Sequence, residues 1–240
     1  MIEKGLISLG VKAGMMVEVH CSLGSFGYVD GGAITVINAL KSVIGTDGAI
    51  LMPSFKLSPN LPINESDKKL GLTLKIKILH DDNEKSAMGI LADTFRKMPD
   101  VITGKGTFCV SAWGREAEKH ASMGFQHLID SGGYALLMGV DIYRMSSMHY
   151  VEKDMPEEIK NKFKPSKEAR AIYPESDWFI EAWEPTAKPW YVIQDRAYEK
   201  GYIRDTIIGN AKCMLVDVKN TVELYRQALQ DEPFKLYGLM

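Results

Sequence analysis

A serine, a histidine and a glutamate stand three residues apart in one stretch of this chain, at Ser146, His149 and Glu152. On a helix, residues at positions i, i+3 and i+6 lie roughly along one side, so these side chains are expected to share a face. The histidine can act as a general base, because its ordinary pKa of about 6.5 lets it take a proton near neutral pH. Glu152 is then expected to orient the imidazole, to stabilise its cationic form or to hold a cationic amine. The alternative is a histidine on a helix flank beside a surface glutamate.

A glycine-rich segment, residues 20–32, lies between a predicted strand and a predicted helix. Backbone N–H groups at a helix N-terminus attract anions, and Gly31 and Gly32 let a phosphate approach without obstruction by a Cβ atom. Ligands of open α/β sheets bind beyond the carboxyl ends of strands, where this segment is expected. It lacks the Gly-x-Gly-x-x-Gly spacing and no Gly-Lys-Ser/Thr follows, which argues against the common dinucleotide and P-loop patterns. A tight strand–helix connection with turn glycines remains the alternative.

The three cysteines, Cys21, Cys109 and Cys213, lie far apart and are odd in number. This pattern is typical of reduced thiols in a cytosol and does not indicate a disulfide framework. Cys21 beside His20 is a conceivable nucleophile for a cysteine hydrolase. A small buried hydrophobic residue at the end of a core strand is the interpretation that we favour.

The sequence contains neither His-Glu-x-x-His nor Cys-x-x-Cys, so we predict no metal site. Asp81 and Asp82, next to His80, are acidic enough to attract a cation. A solvated acidic loop explains them equally well.

The chemistry-bearing segments must be positioned by regular elements, and the first of these form a strand–helix–strand unit. A β-branched run predicts a strand at 16–21, and apolar residues at helical spacing predict a helix from Gly31 that ends before Gly45. A second apolar strand at 49–52 ends at Pro53. A unit of this length is best built as a right-handed parallel crossover.

Later patterns predict an alternation of helices and strands. The expected elements are a helix at 86–98, a strand at 108–113, a helix at 115–121, a strand at 134–140, a helix at 146–155, strands at 190–193 and 213–218, and a helix at 222–229. Two polar stretches, 56–84 and 156–188, interrupt this order and are predicted to be insertions or lids. We therefore predict an α/β fold: a single domain, 1–240, with a central mixed sheet, helices on both faces and two inserted excursions.

The composition limits the classes of function. The chain has 240 residues, of which 45% are hydrophobic and 25% charged, and its formal net charge is −2. Nucleic-acid binders normally carry a basic excess, so we expect no nucleic-acid partner. The start lacks a signal-peptide pattern and the apolar runs are too short to span a bilayer. We expect a cytoplasmic protein that does not contact membranes, as a monomer or a homodimer.

Several sequence blocks, in order and in spacing, resemble the aminoglycoside N3-acetyltransferase family of antibiotic N-acetyltransferases. The blocks are 19–32, 48–53, Met88-Gly89 with Phe95-Arg96, Ala112-Trp113-Gly114, 136–140 followed by Ser146, His149 and Glu152, and Gly209-Asn210-Ala211 with Cys213 and Leu215. Together they extend over most of the chain.

The resemblance implies an acetyl-CoA-dependent enzyme that acetylates an amine of an aminoglycoside or another amino sugar. It implies that His149 takes the proton as the amine attacks the thioester, in a direct transfer with Glu152 as its partner. Coenzyme A is expected at the glycine segment and two further positions: His20, Ser22, Leu23, Gly24, Ser25, Phe26, Gly27, Val29, Gly31, Gly32, Thr103 and Val110. The substrate is expected at Asp81, Asp82 and Ser146.

One block departs from the family. Residues 102–106 stand where the family carries Arg-Ser-x-His-Pro, a segment associated with coenzyme A binding, and only Thr103 replaces the serine. The alternative function is therefore a divergent family member that binds a small ligand but has lost coenzyme A-dependent transfer.

Overall fold

The structure is a computed structural model that describes residues 1–80 and 86–239. The helices are α1 (Ile2–Leu9), α2 (Gly32–Ile44), α3 (Glu65–Lys69), α4 (Gly89–Phe95), α5 (Ala117–Met123), α6 (Phe125–Asp130), α7 (His149–Glu152), α8 (Glu157–Phe163), α9 (Lys167–Ile172), α10 (Pro189–Glu199), α11 (Val218–Asp231) and α12 (Pro233–Leu236). The strands are β1 (Met16–Cys21), β2 (Ala49–Pro53), β3 (Leu74–Lys77), β4 (Ile102–Thr103), β5 (Val110–Gly114), β6 (Tyr134–Met138), β7 (Trp178–Glu181), β8 (Ile203–Ile208) and β9 (Ala211–Asp217). Short 3-10 helices cover Leu23–Phe26, Ile142–Arg144 and Ser146–Met148. Within these described ranges no helix is long and apolar enough to cross a membrane.

The main sheet has the strand order β4-β5-β2-β1-β6-β9-β8. Strand β1 runs parallel to β2 on one side and to β6 on the other. The remaining pairs, β5 with β2, β4 with β5, β9 with β6 and β8 with β9, are antiparallel. The predicted parallel crossover from β1 through α2 to β2 is therefore confirmed, and the sheet is mixed as predicted.

Helices cover both faces of this sheet, because successive side chains of a strand point to opposite sides. Val17 and Val19 of β1 pack into a hydrophobic cluster with buried residues of α1, α2 and α4. Leu51, Ala135 and Leu137 face the other side, where α5, α6, α10 and α11 contribute their buried residues. The predicted fold class is confirmed.

The parallel strands bring three connections to one edge of the sheet. The glycine segment leaves β1 after Cys21, the first inserted stretch leaves β2 after Pro53, and the segment that carries His149 leaves β6 after Met138. The carboxyl ends of neighbouring parallel strands lie at the same edge, which is where ligands bind in open α/β sheets. The topology thus places the predicted cofactor segment beside the predicted base.

The two inserted stretches meet in space, where β3 and β7 pair antiparallel in a separate two-stranded sheet. A fully buried aspartate joins them: Asp67 Oδ2 accepts a hydrogen bond from Lys75 Nζ at 2.5 Å, and Asp67 Oδ1 accepts one from Tyr173 Oη at 2.5 Å. Burial raises the pKa of Asp67, but these hydrogen bonds and the charge of Lys75 outweigh burial and lower the pKa to about 2. The carboxylate therefore stays charged and paired at neutral pH.

The strand that we predicted at 190–193 is wrong, because these residues belong to helix α10. Trp190, Ile193 and Ala197 are buried, and their spacing of i, i+3 and i+7 defines one helical face. A window of four apolar residues is too short to distinguish this helical period from a buried strand.

Other elements differ in length or had no sequence signal. The helix predicted at 146–155 is divided into the 3-10 helix Ser146–Met148 and the four-residue α7. Strand β8 lies at the edge of the sheet, and only Ile203 and Ile208 at its two ends are buried. Its sequence therefore shows no alternation of apolar and polar residues.

The buried aspartate cluster generates a prediction for Lys75→Met. This change leaves Asp67 as a buried carboxylate without its cation, so we expect a loss of about 3–5 kcal/mol in the free energy of unfolding. Hydrogen–deuterium exchange should become faster in β3 and β7. The control is Lys68→Met, which removes an exposed ion pair with Glu65 on the same stretch and should leave exchange unchanged. Equal effects of the two changes would contradict the assigned role.

Candidate active site

His149 and Glu152 form a hydrogen-bonded pair at the two ends of α7. His149 Nδ1 lies 2.7 Å from Glu152 Oε2, and the ring of Trp190 packs edge-on against the imidazole with centroids 4.7 Å apart. The spacing of three residues that the sequence shows thus brings the two side chains into contact. Because Nδ1 is bonded to the carboxylate, Nε2 is the nitrogen left to exchange a proton with a ligand.

Opposing effects set the basicity of this histidine, whose side chain is 58% exposed within a cleft. Desolvation inside the cleft by itself lowers the pKa of His149. The charge and the hydrogen bond of Glu152, together with the charges of Glu181 and Glu18, outweigh desolvation and raise the pKa above its ordinary value. The carboxylates therefore make His149 a stronger base than a free imidazole.

The cleft beside His149 has a volume of about 490 Å³. Its ionisable lining includes the carboxylates Glu152, Glu181 and Glu184 and the lysines Lys160 and Lys188. Aromatic side chains form much of the rest: Tyr143, Phe163, Trp190 and Tyr237. Burial and the nearby charge of Glu152 raise the pKa of Glu181 to about 7, although His149 opposes this shift. Such a wall suits a ligand that carries both ammonium groups and rings.

Sequence analysis did not find Glu181 and Glu184. Both lie in or directly after β7, in the second inserted stretch, far along the chain from His149. They reach the cleft because β7 folds back over this edge, and no motif or spacing signals that arrangement.

The glycine segment packs directly against the end of β6. Ser22 N donates a hydrogen bond to Met138 O at 2.9 Å, and Ser25 Oγ donates one to Gly139 O at 3.2 Å. Gly139 has φ of +66°, and a Cβ atom there would lie 2.4 Å from Ser25 Cβ. Glycine at 139 is therefore required for the close approach of these two connections.

The glycine segment has the features that an anionic cofactor needs. The N-cap of α2 is Gly31, whose conformation is left-handed and which provides no side-chain capping bond. The first N–H groups of a helix have no partner within it and attract anions, although that of Gly32 already donates to Val29 O at 3.0 Å. A Cβ atom built at Gly24 or Gly32 would meet no atom within 4 Å, so there is open space in front of the backbone. This part of the segment is therefore open to an anionic group.

The remaining residues predicted at coenzyme A differ in accessibility. Phe26 and Val110 are 3% and 1% exposed and belong to the hydrophobic cores, so neither residue offers a surface to a ligand. Leu23 and Val29 are half-buried against the core below α2, and Gly27 is exposed. Thr103 is exposed, and its hydroxyl lies 2.7 Å from that of buried Ser111. Ser54 Oγ is 2.6 Å from the same Ser111 oxygen.

Only one of the predicted substrate residues lies within the part of the chain that the structure describes. Ser146 is buried, and its backbone N lies 3.4 Å from Nε2 of His20, which is likewise buried at the end of β1. Asp81 and Asp82 lie outside the described residues. Buried Glu18, which was not among the residues predicted from the sequence, contacts His20. Its only signal in the sequence is a charged residue between the two valines of β1.

Cys21 does not have the surroundings of a nucleophile. Burial, with a contribution from Cys213, raises the pKa of its thiol to about 12. A thiolate is the reactive form of cysteine, so this thiol is inert near neutral pH. In the part of the chain that the structure describes, no group of three His, Cys, Asp or Glu side chains is placed to hold a metal ion.

The fold is that of solved aminoglycoside acetyltransferases. The chain is similar to aminoglycoside acetyltransferase AAC(3)-IVa, solved as a histidine-to-alanine mutant in complex with a gentamicin, with a TM-score of 0.71, 17% identity and coverage of 98% of this chain and 89% of that one. It is also similar to AAC-IIIb in a binary complex with CoASH, with a TM-score of 0.67, 16% identity and coverage of 95% and 94%.

The sequence places the chain in a family. The model of the family described as aminoglycoside 3-N-acetyltransferase matches residues 19–230. The chain is 26% identical to the SPbeta prophage-derived aminoglycoside N(3')-acetyltransferase-like protein YokD of Bacillus subtilis (strain 168), over 92% of this chain and 88% of that protein. The chain therefore belongs to the aminoglycoside 3-N-acetyltransferase family, as its motifs indicated, and is an N-acetyltransferase by family.

The balance of charges around His149 generates a prediction for Glu152→Gln. This change removes the carboxylate that raises the pKa of His149 most, while desolvation, which lowers the pKa, remains. An NMR titration of the imidazole should show a midpoint above the ordinary value of about 6.5 in the unmodified protein and a lower midpoint in the variant. Asp177→Asn, which removes the exposed partner of His80, is the control and should leave His149 unchanged. Identical midpoints for Glu152→Gln and the unmodified protein would contradict the pairing.

Proposed function

We propose that this protein transfers the acetyl group of acetyl-CoA directly to an amine of an aminoglycoside or another amino sugar. His149 is the general base and Glu152 its partner. The observation that carries the proposal is the position of this pair: it opens into a cleft lined by carboxylates, at the sheet edge that also bears the glycine segment.

The glycine segment is the proposed binding site of coenzyme A. The open backbone at Gly24 and Gly32 and the N-terminus of α2 would hold its phosphates, and the exposed hydroxyl of Thr103 is a further contact. When bound, acetyl-CoA supplies the acetyl group as an activated thioester. The complex of the similar AAC-IIIb with CoASH supports this choice of donor.

His149 performs the proton transfer that an amine acceptor requires. An ammonium has no free electron pair, so the acceptor must lose a proton in order to attack. Nε2 of neutral His149 takes this proton, and Glu152 at Nδ1 stabilises the imidazolium that results. As the amine forms the new C–N bond, the C–S bond of the thioester breaks, and the departing thiolate takes up the second proton that the nitrogen loses. Because only neutral His149 can accept a proton, kcat/KM should rise with pH through the raised pKa of this residue.

The carboxylates that line the cleft favour a polycationic acceptor. Glu181 and Glu184 can bind ammonium groups other than the one that reacts, since charge-assisted hydrogen bonds are about twice as strong as neutral ones. An ammonium beside Glu181 would favour its ionised form, which burial disfavours. The aromatic wall offers flat apolar surfaces to the sugar rings. The gentamicin complex of the similar AAC(3)-IVa supports this class of substrate.

The proposal predicts binding of coenzyme A followed by His149-dependent turnover. Acetyl-CoA should raise the thermal midpoint of the protein, because a ligand that binds only the folded state stabilises it. Thiol release with gentamicin or glucosamine should then be observed, and His149→Ala should lower kcat by about 10²–10⁴-fold.

His149→Ala is also the control for binding, since it should keep the thermal shift with acetyl-CoA. A missing shift in the unmodified protein would instead support the alternative, a small-ligand-binding protein without transfer. Unchanged turnover in His149→Ala would disprove the role of the base.

The carboxylate wall generates a prediction for Glu181→Gln. Loss of one charge-assisted hydrogen bond should raise the KM for gentamicin by about tenfold and weaken its dependence on salt. Glu158→Gln on α8 changes the net charge equally outside the cleft and should leave both quantities unchanged. The same shift in both variants would indicate a general charge effect, and would rule out a specific contact at Glu181.

A further inference from the structure

Glu18 is a carboxyl group in the middle of the hydrophobic core. It lies in β1, between β2 and β6, and its side chain is 0% exposed. Its cross-strand neighbours are Leu51 and Ala135, both of them fully buried apolar residues. Glu18 Oε2 is buried and, among the described residues, has no hydrogen-bond partner. A buried polar atom of this kind lowers stability, so its presence in a core strand needs an explanation.

The other oxygen of Glu18 binds two groups at the proposed active site. Oε1 lies 2.6 Å from His20 Nε2, and it accepts a hydrogen bond from the backbone N–H of Ser147 at 3.2 Å. Ser147 is in the 3-10 helix Ser146–Met148, which leads directly into His149. The residue before this helix, Met145, makes no side-chain capping bond. Glu18 therefore supplies, from a neighbouring strand, an acceptor that the local sequence of this turn lacks.

We propose that Glu18 is a positioning residue, which fixes the turn before His149 and the ring of His20 with a single oxygen atom. The part of this inference that concerns turnover rests on the proposed acetyl transfer. The part that concerns the position of His149 depends only on the contacts of Glu18.

The contact with His20 also holds that ring in place. The backbone N of Ser146 lies 3.4 Å from the same Nε2 atom, so this nitrogen faces both Glu18 and the turn before His149. His20 is the penultimate residue of β1, and its side chain is 8% exposed where the glycine segment begins. Glu18 thus connects the proposed coenzyme A segment with the turn that carries the base.

A positioning role and a structural role predict opposite relations between stability and activity. Replacing a buried charged group by an apolar side chain of similar volume is often neutral or stabilising. If Glu18 serves the site, Glu18→Met should keep or raise the thermal midpoint while function falls. If Glu18 serves only the fold, stability and function should fall together.

The experiment compares Glu18→Gln and Glu18→Met with the unmodified protein. Glu18→Gln keeps the shape and removes the charge, so it stays informative even where Glu18→Met does not fold. We expect kcat with acetyl-CoA and gentamicin to fall by about 10- to 100-fold, as for a small displacement of a catalytic group. The KM for the amine should stay close to that of the unmodified protein, because the carboxylates of the cleft are unchanged.

The second measurement is the NMR titration of His149, which needs no substrate. We expect a lower midpoint in Glu18→Gln, since a negative charge near the ring is lost. The other ionisable groups of the cleft stay in place: Glu152 on the same helix, Glu181 on β7, and Glu184, Lys160, Lys188, Tyr143 and Tyr237 around it. A protein without transferase activity would disprove the proposed function, while this titration would still show whether Glu18 acts on His149.

Thr221→Val is the matched control. It removes another buried oxygen, on α11, that has no partner among the described residues, and it should leave both kcat and the His149 titration unchanged. Unchanged kcat and an unchanged His149 midpoint in Glu18→Gln would overturn the proposal. A fall in thermal midpoint for Glu18→Met, with the His149 titration intact, would assign Glu18 to the fold and would also overturn it.

Discussion

The parallel pairing of β1 with β2 and β6 is the constraint on which the site depends. Parallel neighbours end at the same edge of a sheet, so the connections that follow them start side by side. The glycine segment, the first inserted stretch and the segment that bears His149 therefore share one edge. Gly139 allows the first and the last of these to touch, because any larger residue would collide with Ser25.

The inserted stretches provide much of the cleft lining at this edge of the sheet. The core connections provide the His149–Glu152 pair, whereas β7 and the segment after it provide the opposite carboxylates, and α10 provides Trp190. Of these carboxylates, Glu181 also raises the pKa of His149 against desolvation, as do Glu152 and Glu18. In the proposed transfer, the binding of a polycation and the strength of the base would thus depend on the same negative charge.

Two buried carboxyl groups in this chain illustrate different uses of charge. Both oxygens of Asp67 are bonded, to Lys75 and Tyr173, which suits a contact that joins two segments. Glu18 has one oxygen bonded to groups of the site and one without a partner among the described residues. A buried polar atom without a hydrogen-bond partner is expected at a residue that is required for function more than for stability.

The sequence by itself determined the elements whose signals are local. The periodicity of α2, the apolar runs of β1, β2 and β6, and the contact of His149 with Glu152 all depend on residues close together in the chain. The motifs along residues 19–230 also determined the family. Local windows were wrong at 190–193, where a four-residue apolar run did not reveal the helical face that continues to Ala197.

Only the tertiary structure decided which distant groups surround the base. Glu181 reaches the cleft through the pairing of β7 with β3, and Trp190 reaches it through the packing of α10 on the sheet. Glu18 meets Ser147 because β1 and β6 are neighbours. Such contacts depend on how remote segments fold back on one another. The spacing of residues within a single segment carries no information about that arrangement.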